Sequence, residues 1–94
     1  MAQIPGGYSE IKLAAPETQK ICDAVKSKVE EKTGEQYEVF NARRYRSQVV
    51  AGMNYVIKVH VGGSHYLHLM VYQNLSGEVT FNSVKKVEEP LEPF

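Results

Sequence analysis

Residues 53–72, MNYVIKVHVGGSHYLHLMVY, decide the fold. Met53, Tyr55, Ile57, Val59 and Val61 alternate with Asn54, Val56, Lys58 and His60; Leu67, Leu69 and Val71 alternate with His68, Met70 and Tyr72. A period of two marks strands with one buried face, so the stretch reads as two strands separated by Gly62-Gly63-Ser64. If the odd residues of both strands face inward, opposed residue numbers must sum to an even value. A two-residue loop at 62 and 63 would turn one apolar set to the wrong face, and the parity predicts a three-residue loop or a glycine bulge.

Working outward, period two begins at Tyr37, and a short final strand over Val79 to Val84 follows a turn at Ser76-Gly77. Upstream the period changes. Thr18, Ile21, Cys22, Val25 and Val29 recur at three- and four-residue steps, with Lys20, Asp23, Lys26, Lys28, Glu30 and Glu31 on the remaining faces. Pro16 suits the first helical position, Glu17 the positive end of the dipole, and Gly34 the left-handed stop. The expected architecture is therefore α+β: an irregular start, one helix, and an antiparallel sheet of four to five strands wrapped around it.

Composition bounds the function classes. The 94 residues make a single domain, 1–94, with one core. Eleven Lys plus Arg balance eleven Asp plus Glu, so no net field draws the chain to nucleic acid or an anionic membrane. Arg43, Arg44 and Arg46 around Tyr45 read as a solvated strand rather than a nucleic-acid patch, because alternate strand residues face opposite sides. The lone Cys22 excludes an internal disulfide and any site needing two thiolates. Its place on the apolar helix face predicts a buried, inert thiol, which argues against a cysteine–histidine enzyme. His60 and His65 approach across the Gly62-Gly63 turn without a third ligand, so no metal or other cofactor is expected. The N-terminus lacks the pattern of a signal peptide and no apolar run is long enough to span a membrane, which makes a soluble, cytoplasmic protein the expectation. In that setting the sequon Asn74-Leu75-Ser76 carries little weight.

Three stretches carry a resemblance to a known family. Ile4-Pro5-Gly6-Gly7, Gln48-Val49-Val50-Ala51-Gly52 with Asn54-Tyr55, and Tyr66-Leu67-His68-Leu69 occur in order, with Val29-Glu30-Glu31-Lys32-Thr33 in the helix. Together they resemble a stefin, the single-domain cytoplasmic branch of the cystatins, over roughly residues 4 to 75. Taken alone, Gln48 to Gly52 would read as an ordinary buried strand end and Gly6-Gly7 as a loose terminus; the ordered matches reverse both readings. The resemblance implies a reversible, tight-binding inhibitor of papain-like cysteine proteases, papain and the cathepsin B, H, L and S class, with no catalytic step of its own.

The resemblance also implies how such an inhibitor works. An N-terminal limb within residues 1–8, holding Ile4, Pro5, Gly6 and Gly7, lies in the unprimed subsites. The glycine that turns it away from the catalytic cysteine is Gly6 or Gly7, with the family's Pro-Gly-Gly favouring Gly6. Gln48, Val49, Val50, Ala51 and Gly52 form a first hairpin that fills the cleft, and Leu75 with Ser76 stands in a second. Stefins commonly carry Leu-Pro there with a longer loop. Here Leu75-Ser76-Gly77-Glu78 is short and lacks the proline's rigidity. The tail, residues 87–94, departs from the usual stefin end and reads as irregular. The expected state is a monomer. The alternative reading is a stefin-like binding module with weak or no inhibition that recognises some other partner or itself, in the latter case as a domain-swapped dimer.

Overall fold

Pro16 opens a helix, α1 (Pro16–Thr33), and Gly34 closes it at φ 76°, donating its N–H to the Glu30 carbonyl at 2.8 Å. Both ends fall where the sequence puts them. At the first turn the Thr18 hydroxyl accepts the Ala15 N–H at 3.1 Å, satisfying one donor that the helix start leaves unpaired. Thr18, Ile21, Cys22, Val25 and Val29 are the buried residues of α1, the same five that the periodicity selects.

The computed structural model describes residues 7–87, and within them five strands form one antiparallel sheet. They are β1 (Lys12–Leu13), β2 (Asn41–Val50), β3 (Gly52–His60), β4 (Tyr66–Gln73) and β5 (Val79–Val87), paired in chain order. The expected helix-and-sheet architecture is present. The segment expected to be irregular before the helix contributes the two residues of β1, whose Leu13 pairs with Arg44. β5 runs three residues past Val84, and Val87, expected in the irregular tail, is its buried last residue opposite Tyr66.

Val59 opposes Leu67 and His60 opposes Tyr66, and Val61 and His65 close the hairpin with a bond from the Val61 N–H to the His65 carbonyl. The loop is thus the three residues 62–64, one of the two outcomes the parity allows. Ile57, Val59, Leu67, Leu69 and Val71 form the sheet's side of the core against Ile21, Cys22, Val25 and Val29. Tyr37 and Phe40 complete it from the connection before β2 rather than from a strand, so the ladder starts at Asn41 and not at Tyr37. Gln19 joins the layers: its carboxamide donates to the Phe40 carbonyl at 2.9 Å and accepts the Ala42 N–H at 2.8 Å.

Of the alternating residues expected to face solvent, Met70 is exposed, and Asn54, Val56, His60 and Tyr72 are half-buried. Lys58 and His68 are buried, in one cross-strand row with Arg44 and Lys85, and the Lys58 ammonium lies 5.8 Å from the Tyr66 ring centroid. A register shift between Ala42 and Arg44 breaks the strict alternation of the arginine stretch, and both Arg43 and Arg44 are exposed.

Candidate functional site

The meander puts two hairpin turns at one end of the sheet. Between β2 and β3, Val50 pairs with Gly52 and only Ala51 lies outside the ladder. Below the turn, the Asn54 carboxamide donates to Gln48 Oε1 at 2.9 Å, a side-chain rung across the stem. Val49 is 80% exposed and Val50 42%, although Ile57 and Val59 farther along the same hairpin are fully buried. The pairing that buries the stem therefore carries apolar side chains into solvent at the tip, which is the pattern of a surface awaiting a partner.

Gly52 is buried and has φ 105°, a conformation favouring a residue without a Cβ. A Cβ there would lie 2.4 Å from the Gln73 carbonyl oxygen and 3.1 Å from Asn74 Cα. The Tyr72 hydroxyl donates to the Ala51 carbonyl, binding the first turn to the strand that leads into the second. The close approach and this bond join the two tips.

The second turn joins β4 to β5. Asn74 donates its N–H to the Glu78 carbonyl, and Gly77, at φ 94°, donates to the Asn74 carbonyl, both at 2.9 Å. This is a three-residue loop, Leu75-Ser76-Gly77, ending in a left-handed glycine. Asn74 Oδ1 accepts the N–H groups of Ser76 and Glu78, and its Nδ2 donates to Glu78 Oε1, all at 2.9 Å. Leu75 is 85% exposed and Ser76 is exposed beside it. The loop lacks proline but has a side-chain scaffold in its place. Asn74 was not among the expected site residues; the available signal was an asparagine opening an x-Ser-Gly turn, a position that favours Asn, Asp and Ser.

Of the expected N-terminal residues, Ile4, Pro5 and Gly6 lie outside the described ones. Gly7 is half-buried. Two residues later the Ser9 N–H donates to the Ser47 carbonyl at 2.7 Å, and the Ser47 N–H donates to Ser9 Oγ at 3.1 Å. Those bonds bring residues 7–9 alongside β2 next to the first hairpin, at the end of the sheet that carries both tips.

The large side chains exposed at the two tips, Val49, Val50 and Leu75, are apolar. Cys22 lies in the core beneath the sheet, where burial, with the Asp23 charge beside it, pushes its thiol up to about 12. A thiol so raised stays protonated and unreactive at neutral pH. The His60 ring meets the Gly63 carbonyl through Nε2 at 2.9 Å and the Arg43 guanidinium at Nδ1 at 3.5 Å. Among the described residues no group of three or more His, Cys, Asp or Glu side chains is arranged to hold a metal ion, and no helix is long and apolar enough to cross a membrane.

Comparison with known proteins agrees with this geometry. The Cystatin domain family matches residues 6–89. Cystatin-A of Mus musculus is 47% identical over 90 residues, covering 92% of this chain and 93% of its own. Cystatin-A of Homo sapiens is 53% identical over 75 residues, covering 80% of this chain and 76% of its own. The leukocyte cysteine proteinase inhibitor 1 of Sus scrofa is 56% identical over 72 residues, 77% of this chain and 70% of its own. With one helix packed on a five-stranded antiparallel meander and a family match that runs through nearly all of it, the chain belongs to the cystatin family, among its cystatin A and stefin members.

Proposed function

We propose that this protein is a reversible, tight-binding inhibitor of papain-like cysteine proteases of the cathepsin class, acting in the cytoplasm as a monomer. The observation that carries the reading is the pair of hydrogen-bonded apolar tips, with Val49, Val50 and Leu75 exposed at one end of the sheet. The name of the porcine relative, a cysteine proteinase inhibitor, points the same way.

Inhibition follows from occupation. Val49, Val50, Ala51 and Leu75 displace water from the protease cleft, and their burial contributes a few kcal/mol at roughly 25 cal/mol per Å² before association costs. Ile4, Pro5, Gly6 and Gly7 extend the contact on the unprimed side, Gln48 and Gly52 shape the first turn, and Leu75 with Ser76 reaches the primed side. Hydrogen bonds from Tyr72 and Asn74 hold the tips in the free protein, which lowers the conformational entropy lost on docking. The turn at Ala51 need not present a scissile bond to the protease thiolate, and no chemical step is required of the inhibitor.

The test is a titration of papain with the parent and a Gly52→Trp variant, following hydrolysis of a small peptide substrate. Stoichiometric loss of activity with the parent and its relief in the variant is expected. A folded, monomeric parent that leaves papain active overturns the reading.

A second reading is a binding module that exchanges strands between copies. The tight turn at Ala51 favours it, because opening that one turn would make β2 and β3 continuous. Size-exclusion chromatography after mild heating would then show a dimer; a monomer peak throughout counts against exchange.

A further inference from the structure

The second hairpin lacks the proline that its resemblance leads one to expect, yet its turn is bonded through both backbone and side chain. Its four-residue turn from Asn74 to Gly77 closes through the Gly77 N–H, and Glu78 follows as the first residue back toward β5. A backbone of this kind, with an 85% exposed leucine at the first central position, has little packing to hold it. The three bonds of the Asn74 carboxamide supply what packing does not. Oδ1 spans from the first residue of the turn to Ser76 within it and to Glu78 beyond it, and Nδ2 donates to the Glu78 carboxylate. Leu75 is the residue enclosed by these bonds.

We propose that Asn74 is a positioning residue for protease binding, whose carboxamide locks the second turn so that Leu75 is presented in its docking geometry before contact. The inference rests on the inhibitor reading for its functional consequence. Its physical basis is separate: a side chain that bridges the N–H groups of two later residues mimics a backbone turn and replaces proline's fixed φ with hydrogen bonds. Preorganisation of this type acts on affinity by removing the ordering cost that a loose loop would meet on docking. The carboxamide is suited to the role because it offers an acceptor toward the turn and a donor toward Glu78.

The polarity of the network specifies a rescue. Asn74→Ala removes all three bonds. Asn74→Asp keeps the acceptor for Ser76 and Glu78 but sets a second carboxylate beside that of Glu78. Combining Asn74→Asp with Glu78→Gln reverses the remaining bond, since a glutamine at 78 donates to the new carboxylate.

Two measurements test the proposal. The first is backbone amide relaxation by NMR on the free protein: Leu75 and Ser76 should become mobile on the nanosecond timescale in Asn74→Ala and regain the parent's order in the rescued double variant. Unchanged order at Leu75 in Asn74→Ala overturns the proposal, whatever the protein inhibits. The second is the dissociation rate from papain. Asn74→Ala should release about tenfold faster, while in a Leu75→Ala background it should have little further effect, because coupled residues do not add. Losses that add fully, or a double variant that stays as weak as Asn74→Ala, overturn it as well. A parent that fails to inhibit overturns the inhibitor reading, and the relaxation result then decides the role of Asn74 in shaping the turn.

Discussion

Gly52 and Gln73 approach so closely that a Cβ on Gly52 would stand 2.4 Å from the Gln73 carbonyl oxygen. The approach couples the two apolar tips, and the positive φ of Gly52 adds a second reason for glycine. Gly52→Ala is expected to force the hairpins apart. Strain at such a position destabilises by about 1–3 kcal/mol, and the displaced tips no longer enter one cleft together. Urea unfolding and papain titration of the same preparation check this: a modest loss of stability with a loss of inhibition of at least about tenfold is the expected pair. Parent-like inhibition by Gly52→Ala would remove the spacing argument.

Leu75 is 85% exposed and makes its apolar contribution only when a partner covers it. Leu75→Ala should therefore leave thermal stability within about 0.5 kcal/mol of the parent and weaken protease binding by about 1–2 kcal/mol. A clear drop in thermal midpoint, with affinity intact, would instead assign Leu75 to the fold.

Much of this arrangement was legible in the sequence, and the reason lies in the periods. Five helix positions at three- and four-residue spacing, with Pro16 and Gly34 at the ends, leave one face to bury, and the same five are buried. Even parity in strands 53–61 and 67–71 excluded a two-residue loop and left three residues, 62–64, or a glycine bulge. What escaped has no period. β1 is two residues long with both side chains exposed, and it exists because β2 offers it an edge. Tyr37 and Phe40 enter the core from an irregular segment, their ring centroids 5.8 Å apart. The shifts at Ala42/Arg44 and Met70/Val71 depend on neighbouring strands, and no local pattern announces them. At the candidate site, the apolar run and its glycine were readable by resemblance, whereas the role of Asn74 depends on bonds to residues two and four positions ahead.

Ser9 is bonded to Ser47, two residues before Val49, so the described chain runs beside the first hairpin there. A chain beginning at Tyr8 keeps that anchor and loses Ile4, Pro5, Gly6 and Gly7. It should fold with the parent's stability and inhibit more weakly without losing inhibition, since the two hairpins remain. Equal affinity of the two forms would take the segment out of the mechanism.

Gln19 serves the fold. It accepts the Ala42 N–H and donates to the Phe40 carbonyl, so Gln19→Ala leaves both backbone groups short of a partner where the chain enters β2. A loss of about 1–3 kcal/mol is expected. Because this contact lies between the layers, the folded fraction should inhibit as the parent does. Weakened inhibition at full folding would show that the entry to β2 also shapes the first tip.

Cys22 gives the pH prediction. Burial raises its thiol from 9.0 to about 12, so the folded state resists an ionisation that the unfolded chain undergoes freely. A raised pKa contributes stability that is complete below the unfolded value and is lost as pH climbs through the folded one; the window is therefore about pH 9 to 12. Within it the thiol's contribution falls by about 1.4 kcal/mol per pH unit. Other groups titrate there too, Tyr55 and Lys86 among those with raised values, so the measurement is a difference. Cys22→Ala leaves a small cavity and should be less stable than the parent at pH 7.5. By pH 10.5 the gap should have narrowed by about 2 kcal/mol, because only the parent has a buried thiol to lose. Urea unfolding of both proteins at the two pH values reads the gap directly, and a gap that stays constant would mean that the thiol ionises in place and is less enclosed than its zero exposure indicates.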